Sequence, residues 1–229
     1  MMRRRPSYGY RKRGTVVATG LSYVGFADTP LVSGNNTVVF PAGTTAGDVA
    51  LLLAYQNSSS PTTPPSGWTG TSIPGVGGVV YSKVLTSGDI ASTVVGFGAT
   101  ATAFNGMSCY TFRGATAVSN LSAQGVSPTV SSKSWAGFAK GAVNGFVLMP
   151  IAAAGTAGST QVISSPTFAN GTVVPAAANN YTSGSSIKLA TRVLYDFIVT
   201  DYTDATAIVE TLTAADYSQE AFMVYGLTI

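Results

Sequence analysis

Beyond Gly14, a chain of 229 residues keeps only six basic and nine acidic side chains. That scarcity constrains the fold more than any motif does. A soluble helix keeps its outer face wet with Glu, Lys and Arg, so coiled coils and amphipathic helical bundles are excluded. A sheet can be solvated by Thr, Ser and Asn instead. Charged residues make up 9% of the chain, against about 25% in an ordinary soluble domain. The other six cations are Arg3, Arg4, Arg5, Arg11, Lys12 and Arg13, all within MMRRRPSYGYRKRG. The net charge of +3 therefore hides a basic arm and a mildly acidic body.

Residues 1–14 lack apolar periodicity and are expected to be an extended, flexible arm when alone. From Thr15 onward, strands and turns are expected. In DVALLLAYQN (48–57), Val49, Leu51, Leu53 and Tyr55 share one face, and Ala50, Leu52 and Ala54 share the other. With both faces apolar, this strand belongs in the middle of a sandwich. Further strands are predicted at 36–41, 78–85, 105–114, 145–155, 186–200, 206–213 and 220–229. AGTTAGD, the Pro-rich 58–67, GVGG (75–78) and SGD (87–89) read as turns or loops, and 213–221 as one helical turn. The fold class predicted is all-β, an antiparallel, jelly-roll-like β-sandwich with a basic N-terminal arm. Residues 15–229 are expected to form one domain, with a weak internal echo of 36–114 in 145–229. Each half has too few strands to cover its own apolar faces.

Chemistry is sparse. There is no His, which removes the commonest general base and metal ligand. Cys109 is the one cysteine, so no intramolecular disulfide can form; in MSCYTF it reads as a small buried hydrophobe. No apolar run approaches the length of a membrane-spanning helix. Asp196, Asp201 and Asp204 form the only acidic cluster and read as strand-end and turn residues rather than as a Ca²⁺ site or a glycosidase pair. Asp48 and Asp89, each after Gly, read as turn residues. Lys83, Arg113, Lys188 and Arg192 are scattered over strand segments. Trp68 follows a Pro-rich loop, where an aromatic ring either plugs the end of a sandwich or stacks on a sugar. No catalytic residue, metal site or cofactor is expected.

The stretch FPAGTTAGDVALLLAYQNSSSPTTPPSGWTG, with VVYSKVLTSGDI and MSCYTFRG after it, resembles a pattern of bacteriophage virion structural proteins. In that pattern a Gly-Asp turn leads into an apolar strand, followed by Pro-x-Gly-Trp, a Tyr-x-Lys strand and a closing aromatic-x-Gly strand. The resemblance covers about residues 36–114 and implies a tail, fibre or other surface component of a virion, with a β-sandwich fold and no catalytic site. The arm separately resembles, in composition, the Arg-rich extensions of small-virus capsid proteins that face packaged nucleic acid.

The expected partners are accordingly other virion proteins and copies of the chain itself, without membrane insertion. Nucleic acid through the arm, and a host-surface glycan or protein at loops such as 56–70, are the alternatives. Candidate binding residues are Arg3, Arg4, Arg5, Tyr8, Tyr10, Arg11, Lys12 and Arg13 of the arm, with Trp68 as the candidate ligand-loop residue. Arginines and lysines would neutralise phosphates or an acidic protein surface, and the two tyrosines could stack on unpaired bases. The expected location is the virion, assembled in the host cytoplasm.

Overall fold

Strand β3 (Val49–Gln56) has no solvent-facing side. Val49, Leu51, Leu53 and Tyr55 enter one apolar layer, while Ala50, Leu52 and Ala54 enter another. The computed structural model describes residues 20–33, 36–56, 66–92, 94–97, 104–126, 132–139, 141–154, 167–168, 176–183, 188–197, 208–211 and 219–229. The arm, most of the 58–67 loop, Asp201 and Asp204 lie outside them.

The first half of the chain contributes β1 (Ser22–Ser33), β2 (Asn36–Val39), β3, β4 (Thr69–Ser72), β5 (Gly78–Val84), helix α1 (Ser87–Ser92), β6 (Val94–Phe97) and β7 (Phe104–Arg113). The second contributes β8 (Ala117–Val126), β9 (Ser132–Trp135), β10 (Gly145–Ala154) and β11 (Thr167–Phe168). It ends with β12 (Ala176–Ser183), β13 (Lys188–Asp196), β14 (Ile208–Thr211) and β15 (Gln219–Thr228). The chain is all-β and antiparallel, as its composition requires. One five-stranded sheet runs β1-β7-β3-β5-β4 and the other β12-β13-β10-β15-β8; two smaller sheets run β2-β6 and β11-β14-β9.

Three apolar layers follow from the alternation of side chains along the central strands. The middle layer joins the large sheets, with Val147, Met149 and Ile151 of β10 and Met223, Tyr225 and Leu227 of β15 meeting the Val49–Tyr55 face of β3. The layer outside the first sheet contains Val38 of β2, Trp68, Tyr81 and Cys109. The layer outside the second contains Trp135 of β9, Phe138, Phe146, Leu148, Phe222 and Val224. The halves also interlock at the sheet margins. Tyr23 of β1 stacks on Tyr195 of β13 with ring centroids 5.2 Å apart, and a Cβ at Gly125 of β8 would overlap the Pro74 carbonyl oxygen.

The segment-level expectation omits strands β1, β4, β6, β8, β9, β11 and β12, misreads one described turn and is left open at another. SGD is not a free turn: it starts α1. Asp89 accepts from the Thr86 backbone N–H and hydroxyl at 2.7 Å each, and the Asp89 N–H donates back to the Thr86 hydroxyl at 3.3 Å. This is a capping box with Asp in the place of Glu, and Ile90 of the helix packs on the layer outside the first sheet. Of the expected turn at 213–221, residues 219–221 belong to β15 and the preceding ones are not described.

In a half-solvated strand, one of two adjacent positions tolerates truncation. Here Leu51→Ala and Leu52→Ala are both expected to cost about 2–5 kcal/mol, because both side chains are wholly buried. Urea unfolding of the two variants measures this.

Candidate functional site

The charged residues of the Gly-Asp…Gly-Trp…Tyr-x-Lys…Arg-Gly pattern gather into two clusters. In the first, the turn Pro41–Asp48 folds back on itself. Thr44 donates its backbone N–H and hydroxyl to the Pro41 carbonyl, at 3.1 and 2.6 Å, and the Asp48 N–H reaches the Thr45 carbonyl at 3.1 Å. Gly43 and Gly47 take the left-handed conformation that this reversal needs, with φ of 84° and 90°. Asp48 Oδ2 accepts from the Thr45 N–H at 2.8 Å. Arg113, the last residue of β7, then clamps the turn. Its Nε meets Asp48 Oδ1 at 2.9 Å, and one terminal nitrogen meets Asp48 Oδ2 at 2.9 Å and the Gly43 carbonyl at 2.7 Å.

This is the two-pronged pairing that the planar guanidinium favours. The Asp48 side chain is 2% exposed, whereas that of Arg113 is 47% exposed. Burial works against ionisation of Asp48, but the Arg113 and Thr45 hydrogen bonds outweigh it and hold the carboxyl below its ordinary range.

The second cluster centres on Lys83 of β5. Its ammonium meets Asp89 Oδ1 at 2.7 Å and the Ser66 carbonyl at 3.2 Å, and lies 6.0 Å from the centre of the Trp68 ring. Asp89, despite its burial, is held below its usual range by Lys83 and Thr86. One cation thus ties the end of the Pro-rich loop, the sheet and the α1 cap together. Trp68 is 8% exposed and packs with Leu52, Tyr81 and Leu85 in the outer layer. A ring so covered offers little face to a sugar; its position is that of a plug.

Both carboxylates are engaged by cations and backbone donors, so these clusters hold chain geometry and present no free acid or base. Burial pushes the Cys109 thiol up to about 12, which keeps it protonated and inert at neutral pH. Asp196 is the last residue of β13. Among the described residues no group of three or more potential ligands could hold a metal ion, and no helix is long and apolar enough to cross a membrane. The arm residues Arg3, Arg4, Arg5, Tyr8, Tyr10, Arg11, Lys12 and Arg13 lie outside the described part. The pairing of Arg113 with Asp48 spans 65 positions and Lys83 with Asp89 six; only the second left a trace in the sequence, as Thr-x-x-Asp after Tyr-x-Lys. No protein family, characterised protein or solved structure compared with the chain matches it.

A carboxylate with a depressed folded-state pKa contributes stability above its unfolded value, and the contribution is lost as pH falls through the folded one. Asp48→Asn is therefore expected to lower the thermal midpoint at pH 7, with the gap to the parent closing as the solution is acidified below the ordinary Asp range. Calorimetry across a pH series checks this. Trp68→Ala is expected to cost about 3–5 kcal/mol of stability, the loss typical of a buried indole, measurable by denaturant titration.

Proposed function

We propose that this chain is a non-enzymatic structural protein of a phage particle, associated with its tail or surface and docked into an oligomeric assembly by residues 1–14. The observation that carries this reading is how charge is used. Both ion pairs of the motif are spent inside the fold, pinning turns, so the six cations of the arm are the chain's one concentrated charge. An assembly subunit with a low-charge surface of Gly, Thr and Ser can pack against copies of itself with few charges to desolvate. Its arm can then supply a salt-sensitive, orienting contact to an acidic neighbour.

One structural feature favours a second reading, a capsid or capsid-decorating protein whose arm contacts packaged nucleic acid. In the second half the first strand lies beside the last, then the third and the sixth, while the second, seventh and fourth form the smaller sheet. That alternation resembles the wiring of a jelly roll, a fold that recurs in viral capsid domains and in lectins, except that the fifth strand extends the large sheet.

Deleting residues 1–14 separates the role of the arm from that of the fold. The truncated protein is expected to keep its circular dichroism and thermal midpoint while losing incorporation into particles; full incorporation would sink the docking role. A gel shift over a salt series distinguishes the second reading. If the arm grips duplex DNA, the log–log salt slope lies near −5, as expected for about six neutralised phosphates, and binding disappears with the arm. Salt-insensitive binding, or none, leaves the acidic protein neighbour as the arm's target.

A further inference from the structure

The two halves of the chain repeat one another strand for strand. From edge to edge, the first large sheet reads β1-β7-β3-β5-β4 and the second, taken in the opposite sense, reads β8-β15-β10-β13-β12. In each half the opening strand pairs with the closing one, which pairs with the doubly buried central strand. A further strand follows, and the edge is formed by the strand just before it in the chain. In each half, too, the strand between the opening and central strands leaves the large sheet. It pairs with the strand that precedes the closing one, as β2 with β6 and as β9 with β14.

The likeness reaches single residues. Opposite the closing strand, the opening strands share one extra residue: Val24 in β1, between the Tyr23 and Gly25 pairings, and Leu121 in β8, between those of Asn120 and Ser122; β1 has a second shift, between Thr29 and Val32, that β8 lacks. Each extra residue is apolar. Val24 lies near the turn that leads into β3, since a Cβ at Gly43 would come within 3.9 Å of it, and Leu121 shares the space beside Gly226 of β15 with Val143, which precedes β10. Bulges re-aim a strand at a chosen position and are treated as built features, so a matched pair at equivalent positions is informative beyond the matching order.

The packing is also reciprocal. Opening strand β1 lies against β12, and its Tyr23 stacks on Tyr195 of β13; opening strand β8 lies against β4 and β5. By the equivalence above, β12 corresponds to β4 and β13 to β5. The opening strand of each half thus touches the same two strands of the other, which is the signature of a two-fold, self-complementary interface. The chain ends agree. A Cβ at Gly114 would overlap the Gly20 carbonyl oxygen, and the Thr116 N–H donates to the Thr228 carbonyl at 2.7 Å. The start and finish of both halves therefore meet at one place.

We propose that residues 20–115 and 116–229 are two copies of one folding unit, packed as an isologous pair within a single chain. The apolar face of each large sheet is then an interaction surface whose fitting partner is a second copy of the same unit. The middle layer is a dimer interface that fusion has made internal. This inference stands apart from the proposed role in a particle and does not depend on it.

The test uses the full chain with a protease site inserted between Ala115 and Thr116. The protein is purified, cleaved, unfolded in denaturant and refolded as the whole mixture, and its species are weighed by native mass spectrometry. Self-complementary faces yield pairs of first halves and pairs of second halves beside the mixed pair. Mixed pairs alone, or separated halves, would overturn the proposal. A second variant tests the geometry without cleavage: the entire sequence is permuted to begin at Thr116, with Ile229 joined to Met1 so that the native arm becomes the linker. Two-fold packing makes the two crossings between halves equivalent, so the permutant is expected to fold with a thermal midpoint within about 4 °C of the parent. An unfolded permutant overturns the two-fold arrangement.

Discussion

Burial on both sides of the central strands is the constraint on which the rest of this molecule depends. A sheet with one apolar face needs one cover; sheets built around β3 and β10 need two each. The large sheets supply one cover to each other through the layer where Leu51 and Leu53 meet Val147 and Met149. The other covers come from local elements: β2, the Trp68 turn and Ile90 of α1 on one side, and β9 with Phe138 on the other. Sheets stacked at about 10 Å need interdigitating side chains of matched size. That leaves no room for charge in the central strands β3 and β10, which carry none. The low charge content of the sequence and the layered architecture are one fact seen twice.

The few charges that remain within the motif are placed where a strand begins or ends. Asp48 stands at the mouth of β3, Arg113 at the exit of β7, Lys83 near the end of β5 and Asp89 in the cap beyond it. Because Arg113 is half exposed, its pairing contributes through direction more than through strength. It fixes where the reversed turn of residues 41–48 sits, and the turn in turn hands β3 to the sheet in register, with the Gly47 N–H and the Asp48 carbonyl both bonded to Leu85. In an antiparallel sheet a slip of one residue would exchange the two apolar faces. For a strand with Leu on one face and Ala-Leu-Ala on the other, that exchange would misfit both layers.

Legibility in the sequence followed the size of the side chains. The segment 48–57 was readable because seven consecutive apolar residues admit few other placements, and 145–155 and 220–229 were readable for the same reason. Strand β8, AVSNLSAQGV, was not: its alternation is carried by Ser, Asn, Ala and Gln, which mark loops as readily as edges. Helix α1 was missed because Gly88 and Asp89 carry turn signals of their own, and the capping role of Asp89 emerges only with Thr86 and Lys83 around it. The Asp48–Arg113 clamp was invisible for a plainer reason. Nothing local records a partnership across 65 positions, and each residue taken alone has an ordinary role at a turn or a strand end. The Trp68 alternatives could not be separated by composition, since an indole at a loop end suits either a plug or a platform; its low exposure is a fact that only the fold supplies.

The chain's two tryptophans fall one to each outer layer, Trp68 beside β5 and Trp135 beside Phe222. Neither belongs to the shared middle layer. Intrinsic fluorescence therefore carries two independent optical signals, one native to each half, without any label being attached. With Trp135 replaced by Phe, emission reports loosening of the first half alone; with Trp68 replaced, it reports the second. Whether the halves melt as one cooperative unit or in sequence is thus written into the spectroscopy of the natural chain.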